Sequence, residues 1–170
     1  MCRQAPSRIA RHQAINDVIV RAITAAGVLV SKEPVGLARC DGKRPDGLTL
    51  IPWQGGKPLT WDVTVVSTLA DSYLHSTSHS AGSAAETASI RKESKYSSLP
   101  PEYLFQPVAI ETLGPLNASA LNFLSEVGSR LTSLSGGSRE TLFSFQRLSM
   151  LIQRFNFALI MDAFCFSNLG

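Results

Sequence analysis

The sequence has little cysteine, little charge and no long apolar run. Its 170 residues include three cysteines, Cys2, Cys40 and Cys165. These are too few and too scattered for a disulfide framework, which favours a reducing compartment. Charged residues make up 17% of the chain, below the globular average, and no coiled-coil or collagen-like repeat is present. Apolar stretches such as Ala158–Met161 fall far short of the roughly 18 residues that span a bilayer. No apolar core follows Met1-Cys2-Arg3-Gln4, so no secretory leader is expected. What remains is a 44% hydrophobic content, normal for one globular domain of this length. The expectation is an intracellular protein with no membrane partner.

Charge is unevenly placed. Residues 1–48 carry eight Lys/Arg against four Asp/Glu, and the remainder carries eight against nine. A basic amino-terminal third is compatible with a polyanionic partner. Ile15, Val18, Ile19, Ala22, Ile23 and Ala26 recur at helical spacing, with Gly27 as the stop. Val28–Val30 reads as a short strand closed by Pro34, and a loop from Gly36 to Pro45 leads to a second strand, Asp46–Trp53. Gln54-Gly55-Gly56-Lys57 is a hairpin turn, and Leu59–Val66 returns as a third strand. The polar stretch 67–83 reads as a loop, Ala84–Tyr96 as a helix and Leu104–Glu111 as a fourth strand. Asn117 is placed to cap a helix reaching about Leu134. A last helix follows Gly136-Gly137, from Ser138 to about Phe164, with Leu142, Phe145, Leu148, Leu151, Ile152, Phe155 and Leu159 facing inward and Phe143 and Phe157 also expected in the core. The order α-β-β-β-α-β-α-α predicts an α/β fold with a central mixed four-stranded sheet flanked by helices.

Chemistry concentrates in the hairpin. Folding back about Gly55-Gly56 brings Asp46 and Asp62 to the same end of two adjacent strands. Asp62 sits among apolar residues, where a charge needs a partner. Two convergent carboxylates form a hard-oxygen site suited to Mg²⁺, with Mn²⁺ as a substitute, and to phosphate chemistry. A lysine is then wanted to orient water and offset transition-state charge, and Lys92 and Lys95 lie on the following helix. Other meanings stay open. Pro45-Asp46-Gly47 also has the composition of a turn, a buried Asp62 could bond backbone amides, and a lysine pair could be a solvated face. His75 and His79 have the i, i+4 spacing of a metal pair, but no third ligand is near and the segment does not read as a helix.

Arg44-Pro45-Asp46, a 15-residue spacer, Asp62 in an apolar strand, and Arg91-Lys92-Glu93-Ser94-Lys95-Tyr96 together resemble the PD-(D/E)xK nuclease superfamily. More narrowly, they resemble the restriction-like endonuclease domain at the carboxyl end of site-specific non-LTR retrotransposon polyproteins. The likeness covers roughly residues 8–165, beginning with Arg11-His12. It implies a restriction-endonuclease-like core over residues 9–165, with tails at 1–8 and 166–170. It also implies Mg²⁺-dependent nicking of double-stranded DNA, in the nucleus. Asp46 and Asp62 would hold the metal, with the Val63 carbonyl and Glu33 as further ligands, while Lys95 and Lys92 would be the catalytic lysines. Lys43, Arg44, Arg11 and His12 would meet DNA phosphates. The superfamily's third motif residue, a lysine, is Thr64 here, and the downstream helix takes its role. Cys2 and His12 are too few for the family's zinc knuckle, so no zinc is expected and the chain reads as a fragment without knuckle or reverse transcriptase. The rival reading is a catalytically silent remnant that binds DNA or protein.

Overall fold

The apolar stripe of the first helix and the alternation of the two long strands fix the layers. The structure is a computed structural model and describes residues 5–38 and 42–167. Cys2, Cys40, and tail residues 1–4 and 168–170 lie outside the described residues. The elements are α1 (Ala5–Ala25), β1 (Val30–Lys32), β2 (Gly47–Thr49), β3 (Leu59–Val66), α2 (Asp71–His79), α3 (Ser83–Lys95), β4 (Leu104–Glu111), α4 (Ala118–Ser135) and α5 (Glu140–Ser167). They form one four-stranded sheet in the order β1-β2-β3-β4. The pairs β1/β2 and β2/β3 are antiparallel, and β3/β4 are parallel, joined by a crossover through α2 and α3. The chain is thus α/β with a mixed open sheet.

Strand alternation divides the core. On one face Trp61, Val63, Val108 and Ile110 pack with Ile15, Ile19 and Ile23 of α1, Phe123 and Val127 of α4, and Leu148 and Ile152 of α5. On the other, Ala109 and Val66 meet Ala85 and Ala88 of α3, small residues that let the helix approach closely. This register puts Asp62, between Trp61 and Val63, on the α3 side. On the opposite side Trp61 is fully buried and donates its indole N–H to Asn16 Oδ1 at 2.9 Å.

β4 is an edge strand, which accommodates Pro107 in its middle. Asn117 covers that edge in the manner of a strand. Its N–H donates to the Ala109 carbonyl at 3.1 Å, and its Oδ1 accepts the Ala109 N–H at 2.9 Å. Asn117 therefore occupies the N-cap position of α4 without a side-chain cap bond. The cap comes from Glu86, whose Oε1 accepts the Ala118 N–H at 2.5 Å.

Several expectations need correcting. Residues 5–8, placed in a tail, form the first turn of α1. The first strand lies two residues later than expected, because Val28 is drawn into the core. The 67–83 stretch is not a loop but holds the helix α2. Its hydroxyls bond back onto the helix, as Ser76 and Thr77 do to the Tyr73 carbonyl, and Arg91 donates to the Tyr73 hydroxyl at 2.6 Å. Tertiary contact thus supplies what the polar composition does not. In α5, among the residues whose burial is described, only Leu148 and Ile152 are fully buried, while Phe145, Leu151, Phe155 and Leu159 are half-buried. Leu142, Phe143 and Phe157 are exposed, because α5 is an outer layer with a narrow inward stripe.

Candidate functional site

β2 is short. Its pairing ends at Gly47 opposite Trp61, and the Asp46 N–H donates to the Trp61 carbonyl at 2.9 Å as the last rung. The Asp46 carbonyl is held by the Glu33 N–H at 3.2 Å and Asn16 Nδ2 at 3.1 Å. Beyond this point no strand among the described residues pairs with β3 on that side. Asp46 turns its own side chain onto the vacated edge, where Oδ2 accepts the Val63 N–H at 2.5 Å. His12 of α1 completes the contact, with Nε2 3.0 Å from Asp46 Oδ2 and 3.1 Å from the Val63 carbonyl. Both partners accept, so Nε2 carries the hydrogen. The Asp46 bond holds the imidazole pKa above its ordinary 6.5, against the opposing effect of burial.

Asp62 is the buried member of the pair, 4% exposed. Lys92 forms an ion pair with its Oδ2, and the Tyr96 hydroxyl is 3.0 Å from its Oδ1. The same hydroxyl lies 3.0 Å from the Arg44 carbonyl, tying the loop before Asp46 to the end of α3. Burial, followed by the negative charge of Asp46, pushes the Asp62 carboxyl above its ordinary 3.8, while Lys92 and Tyr96 pull the other way. Lysines three apart on α3 therefore divide their work. Lys92 neutralises Asp62, and Lys95 lines the cleft with its ammonium 4.9 Å from the Tyr96 ring centroid.

A cleft of about 350 Å³ brings Asp46 and Asp62 together with Glu33, Lys43, Arg44 and Lys95. Glu33 stands at φ +45°, in the left-handed region that non-glycine residues seldom occupy. Two expected residues lie elsewhere. The Val63 carbonyl faces His12, and Arg11 lines a separate cavity. His12 meets the Asp46 carboxylate. His75 and His79 do share a helix, with ring centroids 5.0 Å apart, yet among the described residues no group of three His, Cys, Asp or Glu is arranged to hold a metal.

Sequence reasoning missed three supports of the site. Tyr96 binds Asp62, and Asn16 links Trp61 to the Asp46 backbone. Gly47 lies against Trp61, where an added Cβ would be 2.0 Å from the ring. One signal was available, since Asn16 is a polar residue inside the buried stripe of α1, one helical turn from His12. Among the described residues no helix is long and apolar enough to cross a membrane. Compared with known proteins, the chain matches no family model and no curated protein sequence.

Proposed function

We propose that the chain is a metal-dependent DNA endonuclease module of the restriction-like type, cutting one strand of double-stranded DNA in the nucleus. The observation that carries this reading is the meeting of Asp46 and Asp62 in one cleft with Lys95, flanked by Lys43 and Arg44. The donor set fits Mg²⁺, which needs only one or two carboxylates alongside water and phosphate oxygens. Burial and, after it, the negative charge of Asp46 raise the Asp62 carboxyl, and a cation in the cleft would offset that charge. When bound, the ion supplies charge neutralisation at the phosphate and activation of water.

The chain's own residues do the remaining work. Lys43 and Arg44 attract and orient the phosphodiester at the mouth of the cleft. Lys95 directs a water oxygen at phosphorus and offsets charge gathering on the phosphoryl oxygens. A new P–O bond forms, the P–O3′ bond breaks, the departing 3′ oxygen takes up a proton and the water's proton passes to solvent. Lys92 and Tyr96 hold Asp62 in place, and His12 does the same for Asp46.

The test is conversion of supercoiled plasmid to the nicked form, with Mg²⁺ against EDTA. The parent should nick only with Mg²⁺, and Asp46→Asn and Asp62→Asn should lose the activity. Lys95→Ala should lose roughly 10²-fold in rate, the usual worth of one transition-state donor, while still binding metal. The silent binding module is favoured by one observation, that both aspartates already have partners within the protein. A parent inactive with both Mg²⁺ and Mn²⁺ would decide for that reading.

A further inference from the structure

α5 carries two apolar stripes on opposite sides. Leu148 and Ile152 belong to the inward one, packed with α1 and α4. The second is exposed and lies about half a turn round the helix, at ~3.6 residues per turn. It runs through Phe143, Gln146, Met150, Gln153, Phe157 and Ile160, with Leu142 and Met161 beside it. Met150 is 74% exposed and Phe157 64%. A helix in an outer layer ordinarily turns a polar face to solvent, and one that is apolar on both sides is ordinarily covered on both.

The spacing says what covers it. Steps of three and four alternate from Phe143 to Ile160, so Phe143, Met150 and Phe157 fall at heptad positions a, and Gln146, Gln153 and Ile160 at d. That is the seam by which one helix packs lengthwise on another. A lipid surface suits it poorly, because the two glutamine amides stand near the middle of the stripe and would lose water without gaining a partner. Residues 141–161 contain no Asp or Glu, and their only charges are Arg147 and Arg154, both at e on one flank. The other flank, with Leu142, Ser149 and Asn156 at g, is neutral.

These features select both occupant and direction. In a parallel, in-register pair of identical helices each d residue meets its own copy, so glutamine meets glutamine twice. A primary amide both donates and accepts, and such a pair satisfies itself. Each arginine flank then faces the neutral flank of the other helix, since e lies opposite g. Reversing one helix would set the glutamines against Phe and Met and bring the two arginine flanks together.

We infer that the outer face of α5 is a dimer interface, which packs on α5 of a second copy in parallel register about a two-fold axis. The area agrees. At their observed exposures the six apolar residues of the stripe and its flanks hold on the order of 500 Å² per copy, taking about 150 Å² for a large side chain. Two copies would bury about 1,000 Å², where specific interfaces begin. The pairing does not depend on the nuclease reading, because none of these residues lines the carboxylate cleft.

The experiment is sedimentation equilibrium of the full chain over the micromolar range, where an interface of this size is read. The parent should pass from the mass of one chain to that of two. Met150→Glu, which puts a carboxylate in the seam, should weaken association by roughly a hundredfold or more. It should melt as the parent does at concentrations where both are monomeric, because Met150 faces solvent. If it melts lower, Gln153→Glu takes its place, nearly the same in shape and also exposed, with the same loss required. Under mild oxidation Gln146→Cys should join two copies through position 146, mapped by mass spectrometry of the linked peptides. Linkage only through the native cysteines would overturn the parallel register. A dimer indifferent to both glutamate variants would overturn the interface. So would a parent that stays monomeric: flotation with vesicles of phosphatidylserine and phosphatidylcholine would then give the face to lipid, and no flotation would leave it to a helix of another protein.

Discussion

Asp46 and Asp62 are adjacent across a strand pair yet live in different surroundings. Asp46 bonds a backbone amide and an imidazole, whereas Asp62 bonds an ammonium and a phenol. Neither stands as a bare repelling charge in the metal-free protein, so Asp62→Asn would also strip Lys92 of its counter-charge. The position that tolerates least change in this segment is the glycine between motif and strand. A Cβ on Gly47 would lie 2.0 to 2.4 Å from three atoms of the Trp61 ring, and Trp61 cannot move aside because it is fully buried and tied to Asn16. Gly47→Ala should cost about 1–3 kcal/mol through overpacking and shift Asp46 with it. Urea denaturation reads the first effect and Mg²⁺ affinity the second. A variant as stable as the parent would mean that the indole is not held there.

At the scale of elements, α3 carries Lys92, Lys95 and Tyr96, so whatever fixes its axis fixes the site. Its N-cap, Gly82 at φ +87°, supplies no side-chain bond. The missing cap comes from Glu111 at the end of β4, fully buried, whose Oε1 accepts the Ala84 and Ala85 N–H groups at 3.0 and 3.3 Å. A carboxylate against a helix N-terminus is favourable both as a hydrogen bond and as a charge. Glu111→Ala should cost about 2–3 kcal/mol, since two buried amides lose their acceptor. Glu111→Gln, which keeps a carbonyl oxygen there, should cost less. Equal losses for the two variants, measured by chemical denaturation, would show that the volume of the side chain matters rather than the cap. No local pattern announces this bond, because 26 residues separate Ala85 from Glu111. The same holds for Glu86 on α4 and His12 on Asp46. What the sequence did disclose was periodic. Leu59–Val66 and Leu104–Glu111 match the observed strands to the residue, and the aspartate pair followed from the hairpin turn. α2 was hidden because serine and threonine have weak helix propensity, and packing overrode it.

For the molecule as a whole, the shifted His12 and Asp62 make stability depend on pH and, on the function proposed above, on cations. The His12 pKa is raised in the fold, so its contribution is fully present below the unfolded value near 6.5 and is lost as pH climbs through the folded value. The Asp62 carboxyl is also raised. An acid of that kind is ionised in the unfolded chain before it is in the fold, so stability falls as pH rises from 3.8 through its folded value, and the cost persists above it. Both groups act in the same direction. In EDTA the melting temperature should therefore be higher at mildly acidic pH than at pH 8 within the range these two groups govern. His12→Gln, which keeps a donor for Asp46 without titrating, should flatten the limb above pH 6 and leave the acid limb unchanged. Added Mg²⁺ should restore the loss at pH 8, by about 2.7 kcal/mol at a hundred times its dissociation constant, and should do little where protons already occupy the site. A melting temperature that rises from pH 6 to 8 in EDTA would contradict the arrangement of His12, Asp46 and Asp62. Insensitivity to both pH and Mg²⁺ would leave the carboxylate pair a structural feature and remove the cation from the proposed mechanism.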